Sequence, residues 1–156
     1  MNNFSSIYNS LILLTRNKDL YTNLNDQDTF SDRLVIFFFH LGFFLKIYKS
    51  SESKAYFQKM FDFFIKQIEL SIREIGYGDV SVNKMMKKYI NLFYSILDNV
   101  EKWEIKSAQD KVDLFMDYLK IKENEVFYVE YFDKFCIFLS KNSLNTFTKD
   151  ILKFNN

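Results

Sequence analysis

The sequence predicts an all-α protein, read as a single domain spanning 1–156 and built as a bundle of about six to seven helices. Three observations carry this. The 156 residues include no proline and only three glycines, so the strongest local breakers are nearly absent. Apolar residues recur every three or four positions through most of the chain, the period of a helix with one buried face. There is no internal repeat, and a chain of this length can hide most of its apolar surface in one core.

The first helix is expected over about 3–15, where Phe4, Ile7, Leu11 and Leu14 fall at helical spacing. The polar run TNLNDQD, residues 22–28, then breaks the pattern. Thr29 with Asp32 three residues later matches a capping arrangement that satisfies unpaired backbone donors at a helix start. The second helix follows to about Lys49. Its segment LVIFFFHLGFFL, residues 34–45, is interrupted only by His40 and Gly42. That segment covers roughly 18 Å at 1.5 Å per residue, well short of the ~30 Å hydrocarbon core of a bilayer. It reads as a buried central helix first and a membrane-contacting one second. Gly42 costs such a helix about 1 kcal/mol relative to Ala, which points to the close approach of a neighbouring helix.

Ser50, Ser51 and Ser53 mark the next connection. A third helix then presents Phe57, Met60, Phe61, Phe64, Ile68, Ile72 and Ile75 on one face and ends at Gly76. Val82, Met85, Met86, Tyr89, Ile90, Phe93, Leu97 and Val100 write the stripe of a fourth, with Lys84, Lys87 and Lys88 opposite. Ser107 with Asp110 opens a fifth over Val112, Phe115, Met116 and Leu119. A sixth, over about 124–140, is expected to bury Phe127, Tyr131, Phe135 and Phe138, and Ser143 to open a short terminal helix. The methionines are assigned to the core, although Met60, Met85, Met86 and Met116 are also of the flexible kind that suits varied apolar clients. Cys136 reads as a small buried hydrophobe.

Two of the three glycines, Gly76 and Gly78, stand one residue apart between the third and fourth helices. Gly76 fits the left-handed residue that commonly ends a helix, and Gly78 is expected to allow a second unusual backbone angle. Asp79 or Ser81 can cap the next helix. The physics predicts a tight helix hairpin. A phosphate-cradling loop is disfavoured, because GYGDVSVNK lacks the required spacing, no strand precedes it, and Asp79 repels phosphate.

Composition narrows the function. The formal charge of +1 gives no global field for nucleic acid or anionic lipid, so no DNA partner is expected and any electrostatic site is local. One Cys and one His rule out an internal disulfide and a four-ligand His/Cys zinc site within one chain. Neither a metal nor a cofactor is called for. The start Met1, Asn2, Asn3 carries no positive n-region, so no cleavable targeting segment is expected there. The many aromatic residues accompany many Ile, Lys and Asn, the signature of an AT-rich genome more than of a stacking surface. A Ser-His-Asp triad would have to use His40, but no nucleophile motif is present, and catalysis is not expected.

Several constellations remain. Arg33 and His40 lie two helical turns apart and share a face with Phe37 and Phe44, either as internally paired structure or as a polar anchor for a partner. Arg73 suits the negative end of the third helix while Glu74 does not, so Glu74 is expected to pair with Arg33, Lys84 or a partner. Lys84, Lys87 and Lys88 make a small basic face that is either solubilising or a contact for anionic lipid or ribosomal RNA.

The stretch LSIREIGYGDVSVNKMMKKYINLFYSI resembles the signature of the ubiquinol–cytochrome c chaperone family, through Ile72, Arg73, Glu74, Ile75, Gly76, Gly78, Asp79, Val82, Lys84, Lys87, Phe93 and Tyr94. Upstream, Arg16, Tyr21, Asp28, Thr29, Arg33 and His40 are similar to a second pattern of that family, with Leu41 after the His where the family has Leu before it. The likeness covers roughly 13–96. It departs at Ser95 and Ile96, where the family reads Gly and Arg, which puts in doubt any contact that Arg makes. The resemblance implies a helical, non-enzymatic assembly factor of the cytochrome bc1 complex that holds newly made cytochrome b, or meets another assembly factor, with peripheral membrane or ribosome contact. A bacterial cytoplasmic location, at the inner membrane face, fits it. Partner contacts are expected at Arg33, His40, Arg73, Glu74, Asp79, Lys84, Lys87 and Tyr94, with Gly76 and Gly78 shaping the turn, and the client against an apolar groove and this hairpin rim. The competing reading is a carrier of a lipid-like ligand such as quinone or haem, with the aromatic second helix lining its cavity.

Overall fold

Seven α-helices follow one another through residues 3–26 and 29–154, the residues described by the computed structural model. They are α1 (Phe4–Thr15), α2 (Phe30–Tyr48), α3 (Lys54–Ile75), α4 (Asp79–Glu101), α5 (Ala108–Tyr118), α6 (Phe127–Lys141) and α7 (Phe147–Asp150). One-turn 3-10 helices cover Lys18–Leu20, Trp103–Ile105 and Ile151–Lys153. The all-α class is as the sequence predicts. The only β pairing among the described residues is an isolated bridge between Leu24 and Ile121. Asp28, one of the family-like positions, lies outside the described residues.

Local sequence sets the helix starts. The side chains of Thr29, Ser53 and Ser107 accept the backbone N–H groups of Asp32, Tyr56 and Asp110, each at 3.1 Å. Each of these bonds satisfies one of the orphan donors of a first turn.

Helix α2 is the centre. Residues 34–44 are all buried, because α1, α4 and α6 pack around it and leave no side for water. Rings of Phe38, Phe39, Phe43 and Phe44 meet Phe93, Phe115, Trp103 and Phe147 from four other segments, at centroid distances of 4.7–5.2 Å. Full burial of each such ring is worth about 1.5–3 kcal/mol. Gly42 faces Val100 of α4, and a Cβ built there would sit 3.5 Å from a Val100 methyl. That is ordinary contact, so the expected close approach exists but would admit an alanine.

Phenol hydroxyls tie the connections to this core. Tyr21 donates to the Thr15 carbonyl at 2.6 Å, Tyr128 to Leu20 at 2.6 Å, and Tyr48 to Leu139 at 2.8 Å. The run read as a polar break also contributes a core residue, since Leu24 is fully buried and its neighbours exchange backbone bonds with residues 120–122.

Three expectations about faces are corrected. Helix α6 buries Tyr128, Phe132, Phe135 and Leu139 most deeply, while Phe127, Tyr131 and Phe138 are half-buried. It is aromatic on two adjoining stripes, and spacing alone cannot choose between them. Ile75 and Met116 are exposed, because each lies near the end of its helix beyond the reach of the core. Cys136 is half-buried, and desolvation pushes its thiol up to about 12.

Candidate functional site

The corner between α3 and α4 is built by one glycine and one ion pair. Gly76 takes φ +110°, a left-handed conformation that side chains rarely adopt, and its N–H donates to the Arg73 carbonyl at 2.9 Å. Gly78 corrects the expectation of a second unusual angle. Its φ is −76° with extended ψ, and it is itself the N-cap of α4. Neither Asp79 nor Ser81 caps that helix. Asp79 is its first residue, where a carboxylate meets the positive helix end, and it accepts a hydrogen bond from the Arg73 guanidinium.

Arg73 lies in the last turn of α3, the favourable end for a cation, and also approaches Glu69 at 3.9 Å. Glu69 in turn holds Lys66 at 2.8 Å. The Lys66 hydrogen bond, with Arg73 nearby, holds the Glu69 carboxyl below its usual range. The chain Lys66–Glu69–Arg73–Asp79 thus runs along α3 and across onto α4. It remains wet, with Arg73 and Asp79 side chains 36% and 83% exposed. Glu74 is exposed and pairs with no described residue, so the expected bridge to Arg33 or Lys84 does not form. The Glu74 side of the corner is given over to solvent.

Beyond the corner, α4 buries Val82, Met86, Tyr89, Phe93, Ile96 and Val100 and turns Lys84, Lys87 and Lys88 outward. Tyr94 is half exposed and stacks on Phe61 of α3, centroids 5.9 Å apart. Tyr77 and Val80, which the sequence reading did not single out, are exposed at the tip, Val80 to 73%. Val80 lies off the buried stripe and one turn before Lys84, so the outer face of the hairpin combines apolar and cationic groups. Its signal was an apolar residue out of phase with the core period.

The structure does not gather all the expected contacts here. Arg33 is exposed at the start of α2, lining a groove with residues of α1 and α3. His40 is fully buried in the middle of α2, which fits its internally paired reading and corrects its expectation as a partner contact. Its Nδ1–H donates to the Ile36 carbonyl at 2.8 Å, and its Nε2 accepts from the Tyr131 hydroxyl at 2.6 Å. Because a carbonyl can only accept, Nδ1 carries a proton, and in the neutral ring that burial favours Nε2 is then the acceptor. Tyr131, Phe132 and Phe135 rings enclose the imidazole. Loss of water lowers its pKa to about 3, against a weaker upward pull from Ile36. The partner Tyr131 is distant in sequence and carries no local signal.

Ile96, where the family-like pattern calls for Arg, is a fully buried core residue, and Ser95 shares a hydrogen bond with the Tyr118 hydroxyl of α5. Among the described residues no helix is long and apolar enough to cross a membrane. The sequence model of the ubiquinol-cytochrome C chaperone family matches residues 22–110, more than half of the chain, from the bridge at Leu24 through α2 and the α3–α4 hairpin into α5. No curated protein and no solved structure matches the chain.

Proposed function

The chain belongs to the ubiquinol-cytochrome C chaperone family, and from that premise we propose that it is a non-catalytic assembly factor of the cytochrome bc1 complex whose client is newly made cytochrome b. The observation that carries the reading is the family match over 22–110, which spans the hairpin and the central helix against which it packs. The outer face of the hairpin supports the client role. Tyr77, Val80 and Tyr94 offer apolar contact beside Lys84 and Lys87, and neither lysine pairs with a described acid. A surface that is apolar with a charged rim suits the loops and helix ends of a membrane subunit before its own partners cover them.

The working site is the corner: Arg73 and Asp79 hold α3 and α4 at one angle, and Lys84, Lys87 and Tyr94 present the contact. The same lysines with Val80 suit peripheral attachment at the inner face of a bacterial membrane, each cation near an anionic surface adding about 1 kcal/mol. Copurification of cytochrome b from solubilised membranes tests the proposal. The wild-type chain retains cytochrome b, and the Arg73→Ala/Asp79→Ala and Lys84→Glu/Lys87→Glu variants lose it while keeping wild-type circular dichroism. Retention by both folded variants overturns the assignment of this surface, and no cytochrome b with the wild type overturns the client.

A further inference from the structure

A groove of about 440 Å³ opens between α1, the start of α2 and the last turns of α3. Tyr8 and Ile12 of α1, Leu34 and Phe37 of α2, and Ile68 and Ile75 of α3 form an apolar wall. Two cations border it, Arg16 at the end of α1 and Arg33 at the start of α2, and among the described residues no acidic side chain lines it. Arg16 is exposed and pairs with no described carboxylate.

The combination defines an occupant. An apolar cleft of this volume falls in the ~300–1,000 Å³ range of small-molecule sites, whereas a client helix is about 10–12 Å across and cannot sink into it. A neutral tail alone leaves the Arg16 cation at the groove's border uncompensated, and a bare anion leaves the wall uncovered. A guanidinium matches a carboxylate in its planar, two-pronged hydrogen bonding. We propose that the groove holds one long-chain fatty acid, its tail along the α1–α2–α3 wall and its carboxylate on Arg16. This site lies apart from the outer hairpin face and does not rest on the assembly reading.

Titration calorimetry of the full chain at pH 7 with oleate, kept below its micelle concentration, tests it. Monooleoylglycerol serves as the uncharged amphiphile with the same tail. Oleate saturates at one per chain and binds at least tenfold more tightly than monooleoylglycerol. Arg16→Ala, at an exposed residue outside the core, weakens oleate roughly tenfold through loss of a charge-assisted hydrogen bond. Ser71→Trp, at an exposed position on the groove's lip, blocks binding. Both variants keep wild-type circular dichroism. Equal affinity for the two amphiphiles, unchanged affinity in either variant, saturation by more than one oleate, or no binding overturns the proposal.

Discussion

Acidification from pH 7 to pH 5 is expected to remove about 2 kcal/mol of stability through His40 alone. In the folded chain the imidazole is buried, its Nδ1–H is committed to Ile36 and its Nε2 accepts from Tyr131, and its pKa is lowered to about 3. In the unfolded chain it returns to roughly 6.5. The unfolded state therefore binds the proton first, so the His40 contribution is intact above about 6.5 and declines as pH falls from there towards 3. Each pH unit inside that window costs about 1.4 kcal/mol, which gives about 2 kcal/mol at pH 5. The control is His40→Leu with Tyr131→Phe, which removes both ends of the hydrogen bond and leaves no buried hydroxyl without a partner. Urea unfolding followed by circular dichroism at the two pH values measures the difference. The wild-type midpoint falls by roughly 1 M more than that of the double variant. Carboxylates titrate equally in both chains and cancel. Equal pH dependence would refute the reasoning, because it would mean that His40 is solvated or already charged in the folded state.

The glycines give two sharper contrasts. Gly76→Ala forces a side chain into φ +110° and costs about 1–2 kcal/mol, although nothing lies within 4 Å of the added Cβ. Gly78→Ser, at a helix N-cap of ordinary φ, supplies the absent capping hydroxyl and raises stability by a few tenths of a kcal/mol. Urea midpoints that move equally for the two would contradict the assigned corner. Gly42→Ala places a methyl in ordinary contact with Val100 and removes a poor helix former, so thermal unfolding shifts upward by the equivalent of about 1 kcal/mol. A downward shift would show that α2 and α4 pack more closely than the structure has them.

The parts of the fold legible in the sequence were those decided locally. Thr29, Ser53 and Ser107 sit at or beside predicted boundaries because a cap involves only three or four successive residues. Helix α2 was legible because an unbroken apolar run of that length has one economical place, the centre. Long-range choices were hidden. His40 reads as either an internally paired residue or a polar anchor, and only Tyr131 of α6, distant in sequence, decides between them. Leu24 looked like part of a polar loop because its pairing partner, Ile121, is far away in sequence. The candidate site divides in the same way. Gly76 and the dipole-matched Arg73 follow from helix-end chemistry, whereas the exposure of Tyr77 and Val80 depends on where the bundle stops.

The two faces of α4 are put to different uses. Its inner stripe, from Val82 to Val100, is spent on α2, and its outer face carries no deeply buried group. Residues 76–79 at the corner are exposed, with a wet ion-pair chain across them, while Ile72 and Val82 on either side are fully buried. Changes at Val80, Lys84 or Lys87 therefore cost folding little. Ile96 stands on the other side of this division. An arginine there would enter the core facing apolar side chains, so any contact that an Arg after Phe-Tyr makes cannot be made from this position in this packing. On the proposed assembly reading, recognition draws on the cations that α4 turns outward, which lie along the same exposed side of the helix as Val80 and Tyr94.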